Sequence, residues 1–321
     1  MTFPPAIAYM IALYMMFSVC GDNASSSMSA VVGGGVRTMK EAVVMIAIFG
    51  TIGALLEGWR VEHTLGKGLI LGELPAHASF AVVLATALWG SGLLLGFIPV
   101  ASAYAVVGAT MGVGFFVGLP LNWFQLGLIA VGWLITPFMA AGASLFLNWI
   151  VVPMMRLRMR TPLRIYRLFS VLLTIGGCFT AYTMGANRLG FATGPLSTVS
   201  GVDTRILFVI SILGMALGPI VVGKRFINAL GRDITELDAG QGFSIDLGSS
   251  IAVYALNLFG LPASFDTADF GAVIGAGASK GVSTLRGRKI KRILVTWPLS
   301  MVLSGMTAYG LAYVLKSLWG M

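Results

Sequence analysis

The run Cys20-Gly21-Asp22-Asn23-Ala24-Ser25-Ser26-Ser27-Met28-Ser29 sets an acid, an amide and four hydroxyls at the end of an apolar stretch. Such groups are expensive in hydrocarbon, so they are expected to face a cavity or one another. Small residues let a backbone approach a ligand closely, and free N–H groups at the start of a half-helix bind anions. The chemistry implied is recognition of an anion, with close helix packing through small residues as the plainer alternative. A second segment, Gly185-Ala186-Asn187-Arg188-Leu189-Gly190-Phe191-Ala192-Thr193-Gly194-Pro195, adds an amide, a hydroxyl and a guanidinium. Arg188 can grip an oxyanion with two parallel hydrogen bonds or neutralise Asp22; the alternative is that it snorkels to the membrane surface. Two Pro-led segments complete the set, one carrying Ser102 and the other Ser264, Asp266, Thr267 and Asp269. Acids inside an apolar passage are candidates for proton or cation coupling. Asp246, in GFSIDLGSS, is a weaker candidate for the same role, with a helix cap or a hydrogen bond to a neighbouring span as the plainer alternative.

The elements that position these residues must lie in a bilayer. Of 321 residues 57% are hydrophobic and 10% charged, and the mean hydropathy is +0.90, which excludes a soluble enzyme and predicts an all-α integral membrane protein. Apolar segments are expected near 6–20, 41–56, 76–97, 100–119, 124–152, 165–184, 204–222, 243–260, 268–278 and 293–319. Gly- and Pro-rich breaks at 21–36, 98–102, 185–201 and 260–268 predict hairpins and half-helices ending inside the membrane. The net charge of +9 reads as cytoplasmic loops rich in Lys and Arg, not as nucleic-acid binding. The Met1–Phe17 stretch lacks a signal peptide's basic start and small-residue cleavage site, so it is expected to be a retained span. Cys20 and Cys178 have no disulfide or metal spacing, and neither a phosphate loop GxxxxGK[ST] nor a nucleophile–base pair is present. No cofactor, metal or catalytic residue is expected.

The chain repeats itself. Gly53, Gly58, Arg60, Leu65 and Gly66 recur as Gly218, Gly223, Arg225, Leu230 and Gly231. Pro99, Gly108, Ala109, Gly112 and Gly114 recur as Pro262, Gly271, Ala272, Gly275 and Gly277, and Trp133 as Trp297. The offset stays within 163–165 throughout, which predicts two homologous halves. These are a first repeat at 1–152, a basic cytoplasmic linker at 153–164 and a second repeat at 165–321. The second-half loop SKGVSTLRGRKIKR is strongly basic while its first-half counterpart GLPLNW is uncharged. Matching loops of opposite character face opposite sides, so the repeats are expected to be inverted, with an odd number of crossings among about five segments per half.

GANRLGFATGPL at 185–196, GKRFINALGRDITEL at 223–237 and LPASFDTADFGAVIG at 261–275 together resemble the inorganic phosphate transporter (PiT) family. The first signature, DNASSSMSAVVGGG, is similar to that of the family's sulfate permease branch. The resemblance implies an inverted-repeat secondary permease in a prokaryotic cell membrane, a homodimer among lipids. Re-entrant hairpins would enclose a tetrahedral oxyanion bound by Ser25, Ser26, Ser27, Ser29, Ser102, Asn187, Arg188, Thr193, Ser264 and Thr267. Asp22, Asn23, Asp266 and Asp269 would carry the coupling ion. Where the family has Asn-Asp pairs this chain has Asp22-Asn23 and Asn187-Arg188, so the sodium site is altered, and Arg188 would repel a cation beside it. Protons are therefore expected to drive transport in preference to sodium. Sulfate is favoured over phosphate because it offers only acceptors to hydroxyls, N–H groups and Arg188. A sodium-coupled phosphate symporter and a passive anion channel are the alternatives.

Overall fold

The computed structural model describes residues 4–91, 101–158, 161–223, 239–278 and 287–319, with the side chains of 22–25, 239 and 287–294 excepted. Half of the basic loop at 280–292, the repeat block at 224–238 and Pro99 lie outside these residues. The first half contains α1 (Pro5–Gly33), α2 (Met39–His63), α3 (Ala76–Gly90), α4 (Ser102–Val117) and α5 (Trp123–Phe146). A short helix α6 (Val152–Leu157) precedes the second half: α7 (Pro162–Ser197), α8 (Thr204–Gly218), α9 (Ala239–Leu258), α10 (Phe265–Ala278) and α11 (Gly287–Trp319). Single π-turns extend α2, α5 and α8 at Thr64–Gly68, Leu147–Val151 and Pro219–Gly223.

Six helices among the described residues are long and apolar enough to cross a bilayer: α1, α2, α5, α7, α8 and α11. That is three crossings per half. The 15- and 16-residue helices α3 and α4 rise only about 22–24 Å at 1.5 Å per residue, short of a hydrocarbon core of about 30 Å. The 14-residue α10 is shorter still. The longer α9 buries Gln241, Ser244, Asp246, Ser249 and Ser250, a composition unsuited to facing lipid. Each half thus contributes three spans and one re-entrant hairpin, the odd number that inverts the second half. Element pairing repeats accordingly: α2 packs on α7 and α8 on α1; α4 on α11 and α10 on α5; α3 on α11 and α9 on α5.

Two of the expected breaks are absent. Residues 21–33 continue α1 and 185–197 continue α7. Gly and Ser end helices in water, but in a membrane the helix is what satisfies every backbone group within one segment. The break near 260–268 coincides with the second hairpin, and Ala101 and Ser102 of the other lead into α4; its residues 98–100 lie outside the described residues. Gly260, at φ +67, ends α9 in the left-handed conformation, with Leu261 N donating to Leu256 O at 3.0 Å, and a side chain there would be strained. Helix starts are capped at matching repeat positions on opposite sides: Thr38 forms a capping box with Glu41 at α2, and Asp203 accepts from Arg205 N at 2.7 Å at α8. Each such cap contributes about 1 kcal/mol.

One end of the molecule gathers Tyr9, whose hydroxyl accepts from Asp203 N at 3.0 Å, and Phe116, which meets both Lys316 and His77. The other gathers Arg37 against Thr174 and Arg156 over Phe169. Arg156, Arg158, Arg164 and Arg167 belong to this second end, so it is expected to face the cytoplasm. Single cysteines in a background lacking Cys20 and Cys178 test this. An impermeant maleimide should label Ser200→Cys in intact cells and Leu157→Cys only after permeabilisation; the reverse pattern would invert the assignment.

Candidate functional site

Arg188 is fully buried about three-quarters of the way along α7, so it does not snorkel. Its guanidinium donates from Nη1 to Ser102 Oγ, and its Cζ lies 5.0 Å from the centroid of the Phe191 ring. Ser102 is the first residue of α4, and Asp266 stands in the first turn of α10. Both carboxylates of α10, Asp266 and Asp269, lie within electrostatic reach of Arg188. The start of one half-helix, at Ser102, therefore touches the guanidinium, and Asp266 at the start of its repeat mate interacts with it electrostatically. The first N–H groups of any helix lack partners inside it and carry its positive end. Two such ends plus Arg188 form a place where negative charge is stabilised.

Hydroxyls surround the acids. Ser264 Oγ donates to Asp266 Oδ2 at 3.3 Å, and Asp269 lies near Ser249 on α9 and Ser26 on α1, Ser249 Oγ donating to the Asp246 carbonyl at 3.2 Å. Tyr104, one turn along α4 from Ala101, also lies within electrostatic reach of Asp266. Its ring stacks on Trp133 with centroids 3.8 Å apart, and Trp297 lies 6.2 Å away. The repeat-related tryptophans thus flank one aromatic residue at the centre. Trp133 Nε1 also donates to Pro262 O at 2.7 Å, fixing the tip of the second hairpin.

The structure brings together Ser26, Ser102, Arg188, Ser264, Asp266 and Asp269 from the residues expected. Others serve the frame. Asn187 Nδ2 donates to Asn257 Oδ1 at 2.6 Å, and Asn257 donates to Thr183 O at 3.1 Å, tying α7 to α9. Thr267 Oγ1 donates to Ser264 O at 2.8 Å, closing the first turn of α10. Thr193 Oγ1 donates to Leu189 O at 2.9 Å, and five residues on from Arg188 it lies about 140° around the helix. Ser27 and Ser29 are buried on α1, and the Ser27 carbonyl faces Gly177 where α1 crosses α7. Asp22, Asn23 and Ser25 lie on α1, with side chains outside the described set.

The α1 segment is helical throughout, so its backbone N–H groups are engaged; the half-helix starts expected there are supplied by α4 and α10 instead. Sequence reasoning did not select Tyr104 or Ser249. Nothing in the sequence marks Ser249 as a partner of Asp269, since the two sit on different arms of the hairpin.

A multi-pass membrane protein with two inverted repeats and a buried cationic site at the meeting of two half-helices has the architecture of a carrier, not an enzyme. The chain belongs to the phosphate transporter family, whose model matches residues 20–308. Relatives bearing the name "Putative phosphate permease" include one from Pyrococcus abyssi, 23% identical over 98% of this chain and 97% of its own length. One from Haemophilus influenzae shows the same identity and coverage. Among solved structures, "The sodium-dependent phosphate transporter" superposes with a TM-score of 0.83 at 20% identity, covering 98% of this chain and 99% of that one.

Proposed function

We propose that this chain is a proton-coupled secondary permease for a tetrahedral inorganic oxyanion. It would work as the homodimer that the resemblance implies, by rocking of one repeat against the other around the Arg188 site. The observation that carries the reading is the fully buried guanidinium hydrogen-bonded to the first residue of the α4 half-helix. Arg188, Ser102, Ser264 and the adjacent N–H groups bind the oxyanion, with Ser25, Ser26, Ser27 and Ser29 of α1 assigned to its recognition as the resemblance implies. Asn187, Thr193 and Thr267 brace the helices that present these groups. Asp22, Asn23, Asp266 and Asp269 serve coupling. Phosphate stands ahead of sulfate on two grounds. The curated relatives carry the name of phosphate permeases, and Asp266 beside Arg188 offers an acceptor that reads the hydroxyl of hydrogen phosphate. Sulfate, favoured by the sequence alone, remains the second substrate to be measured.

A sodium-coupled reading is supported by the structural neighbour, itself a sodium-dependent transporter, and by the carboxylates Asp266 and Asp269. Against it stands Arg188, whose positive charge disfavours a cation bound alongside. Uptake of labelled phosphate and sulfate into proteoliposomes, with proton and sodium gradients imposed separately, tests both. Saturable uptake driven by an inward proton gradient without sodium is the expected result. A requirement for sodium would overturn the coupling assignment, and currents that scale linearly with voltage without saturating would replace the carrier by a channel.

A further inference from the structure

A carboxylate in the bilayer-crossing part of a helix is costly unless it is paired. Glu57 is such a group, on the α2 span, with its side chain 14% exposed and Oε2 3.4 Å from Arg60 Nη1. Its other oxygen, Oε1, accepts from two phenols at once: Tyr182 on α7 at 2.8 Å and Tyr254 on α9 at 3.0 Å. The Phe179 ring packs against both tyrosines, with centroids 6.5 and 5.5 Å away. Two spans and the first arm of the second hairpin therefore meet at one oxygen atom. Tyr254 is not alone on its arm. Ser250 lies one turn before it and Asn257 one turn after, the spacing of a single helix face. Ser250 Oγ is 2.6 Å from Thr180 Oγ1, and Asn257 is 2.6 Å from Asn187, both partners on α7. The Asn187 amide also faces the backbone N and O of Ala263 at the hairpin tip, each at 3.0 Å. A Cβ on Gly260 would stand 2.8 Å from the Arg60 carbonyl, so the tip is seated on α2 as well.

The first hairpin is held to the spans differently. At the repeat offset of 165, Glu57 and Tyr182 correspond to Val222 and Phe17, whose side chains cannot hydrogen-bond. The matching close contacts, Gly53 on Tyr182 and Gly218 on Phe17, confirm that register. At the tip of the first hairpin the described polar contact to α7 is Ser102 with Arg188. Neighbouring residues of α7 thus hold the two hairpins, Asn187 the second and Arg188 the first. We propose that Glu57 is a positioning residue for transport, clamping the second hairpin to α2 and α7 and leaving the first hairpin, tied through Arg188, as the gate that moves when the oxyanion binds. This rests on the oxyanion-carrier reading. Equal inverted repeats would make the two access states alike in energy, since each is the other with the repeats exchanged; a clamp built into one repeat alone removes that equality. An oxyanion that engages Arg188 competes with Ser102 for its donors and frees the first hairpin. It touches nothing in the clamp, whose hydrogen bonds to a carboxylate are strong in a low dielectric and persist through the cycle.

Disulfide trapping of the full-length protein, in a background lacking Cys20 and Cys178, separates the two hairpins. Thr180→Cys/Ser250→Cys joins the second hairpin to α7. Val19→Cys/Gly90→Cys joins the first hairpin to α1, where a Cβ on Gly90 would stand 2.9 Å from Val19 Cγ2. Uptake of phosphate and sulfate into proteoliposomes is the readout. Oxidation should leave Thr180→Cys/Ser250→Cys near its reduced rate and slow Val19→Cys/Gly90→Cys by about tenfold or more, reversibly with dithiothreitol. Glu57→Ala is expected to lower kcat by about tenfold and to change KM by less than about twofold, because Glu57 touches no substrate. Oxidising Thr180→Cys/Ser250→Cys in the Glu57→Ala background should restore most of the lost kcat, which a mere loss of folded protein would not allow. If Glu57→Ala does not fold, Tyr254→Phe, which removes one hydroxyl, should show the same pattern in smaller measure. Reversible block by the disulfide at 180 and 250, unimpeded uptake with the disulfide at 19 and 90, or wild-type kcat in well-folded Glu57→Ala would each overturn the inference while wild-type uptake leaves the oxyanion reading intact. If wild type carries neither oxyanion, both fail.

Discussion

Replacing Arg188 by glutamine is expected to raise the KM for oxyanion uptake by roughly 30-fold to several-thousand-fold, corresponding to about 2–5 kcal/mol for removing one partner of a buried, hydrogen-bonded charge pair. The side chain is fully buried, so no solvent shell weakens its field, and it hydrogen-bonds the first residue of the α4 half-helix. Glutamine keeps a hydrogen-bond donor for Ser102 but loses the charge. Arg188→Lys keeps the charge but loses the planar fork, so its loss should be smaller yet measurable, because a point charge cannot hold two oxyanion oxygens at once. The change should appear in KM before kcat, since Arg188 acts through binding. Stability must be followed in parallel by fluorescence-detected chromatography in detergent, as Asp266 and Asp269 lose their counter-ion. Adding Asp269→Asn to Arg188→Gln should recover folding without recovering affinity. Wild-type KM in a well-folded Arg188→Gln protein would remove Arg188 from the site.

The membrane character, the repeat and the inversion are legible in the chain because they are written in coarse, redundant signals. Hydropathy does not depend on which face a residue occupies, and the Gly and Trp positions recur at an almost constant offset. The tip of the second hairpin is legible because Pro262 interrupts an apolar run. The path of α1 and α7 through the signature segments is not, since Gly and Ser mean opposite things in water and in lipid. Which serine matters is also hidden: Ser25, Ser26 and Ser27 are alike as residues, and only the packing of α1 on the hairpins brings Ser26 near Asp269. Thr193 illustrates the same gap from the other side, since proximity to Arg188 in sequence places it on a different flank of the helix. Arg188 itself is legible as an oddity, but its partner set joins four segments distant in sequence and needs the fold.

Leucine at Gly108 or Gly271 is expected to abolish assembly, whereas alanine at Gly127 should be tolerated. A Cβ on Gly108 would overlap the carbonyl of Met301, and one on Gly271 the carbonyl of Pro137. Those carbonyls are themselves repeat mates, so this is one helix crossing made twice, α4 on α11 and α10 on α5. Gly112 against Gly305 and Gly275 against Ala141 repeat it one turn along, and Gly53 against Tyr182 and Gly218 against Phe17 do the same for α2 on α7 and α8 on α1. Because lipid tails are as apolar as the side chains, association in the bilayer relies on close backbone approach, which these glycines permit. The obstacle is main chain, not a rotatable side chain, so it cannot swing aside. The helices must part, at a cost of about 3 kcal/mol or more per site, and the half-helix start at each crossing moves with them. Gly127 has nothing within 4 Å of where its Cβ would lie, and alanine there should gain about 0.5–1 kcal/mol of helix preference. Thermal unfolding in detergent should therefore rank Gly127→Ala at or above wild type, with Gly108→Leu and Gly271→Leu failing to give a monodisperse protein. Equal stability of Gly271→Leu and wild type would mean that α10 does not pack on α5 as described. The position of Asp266 and Asp269 beside Arg188 would then lose its structural basis.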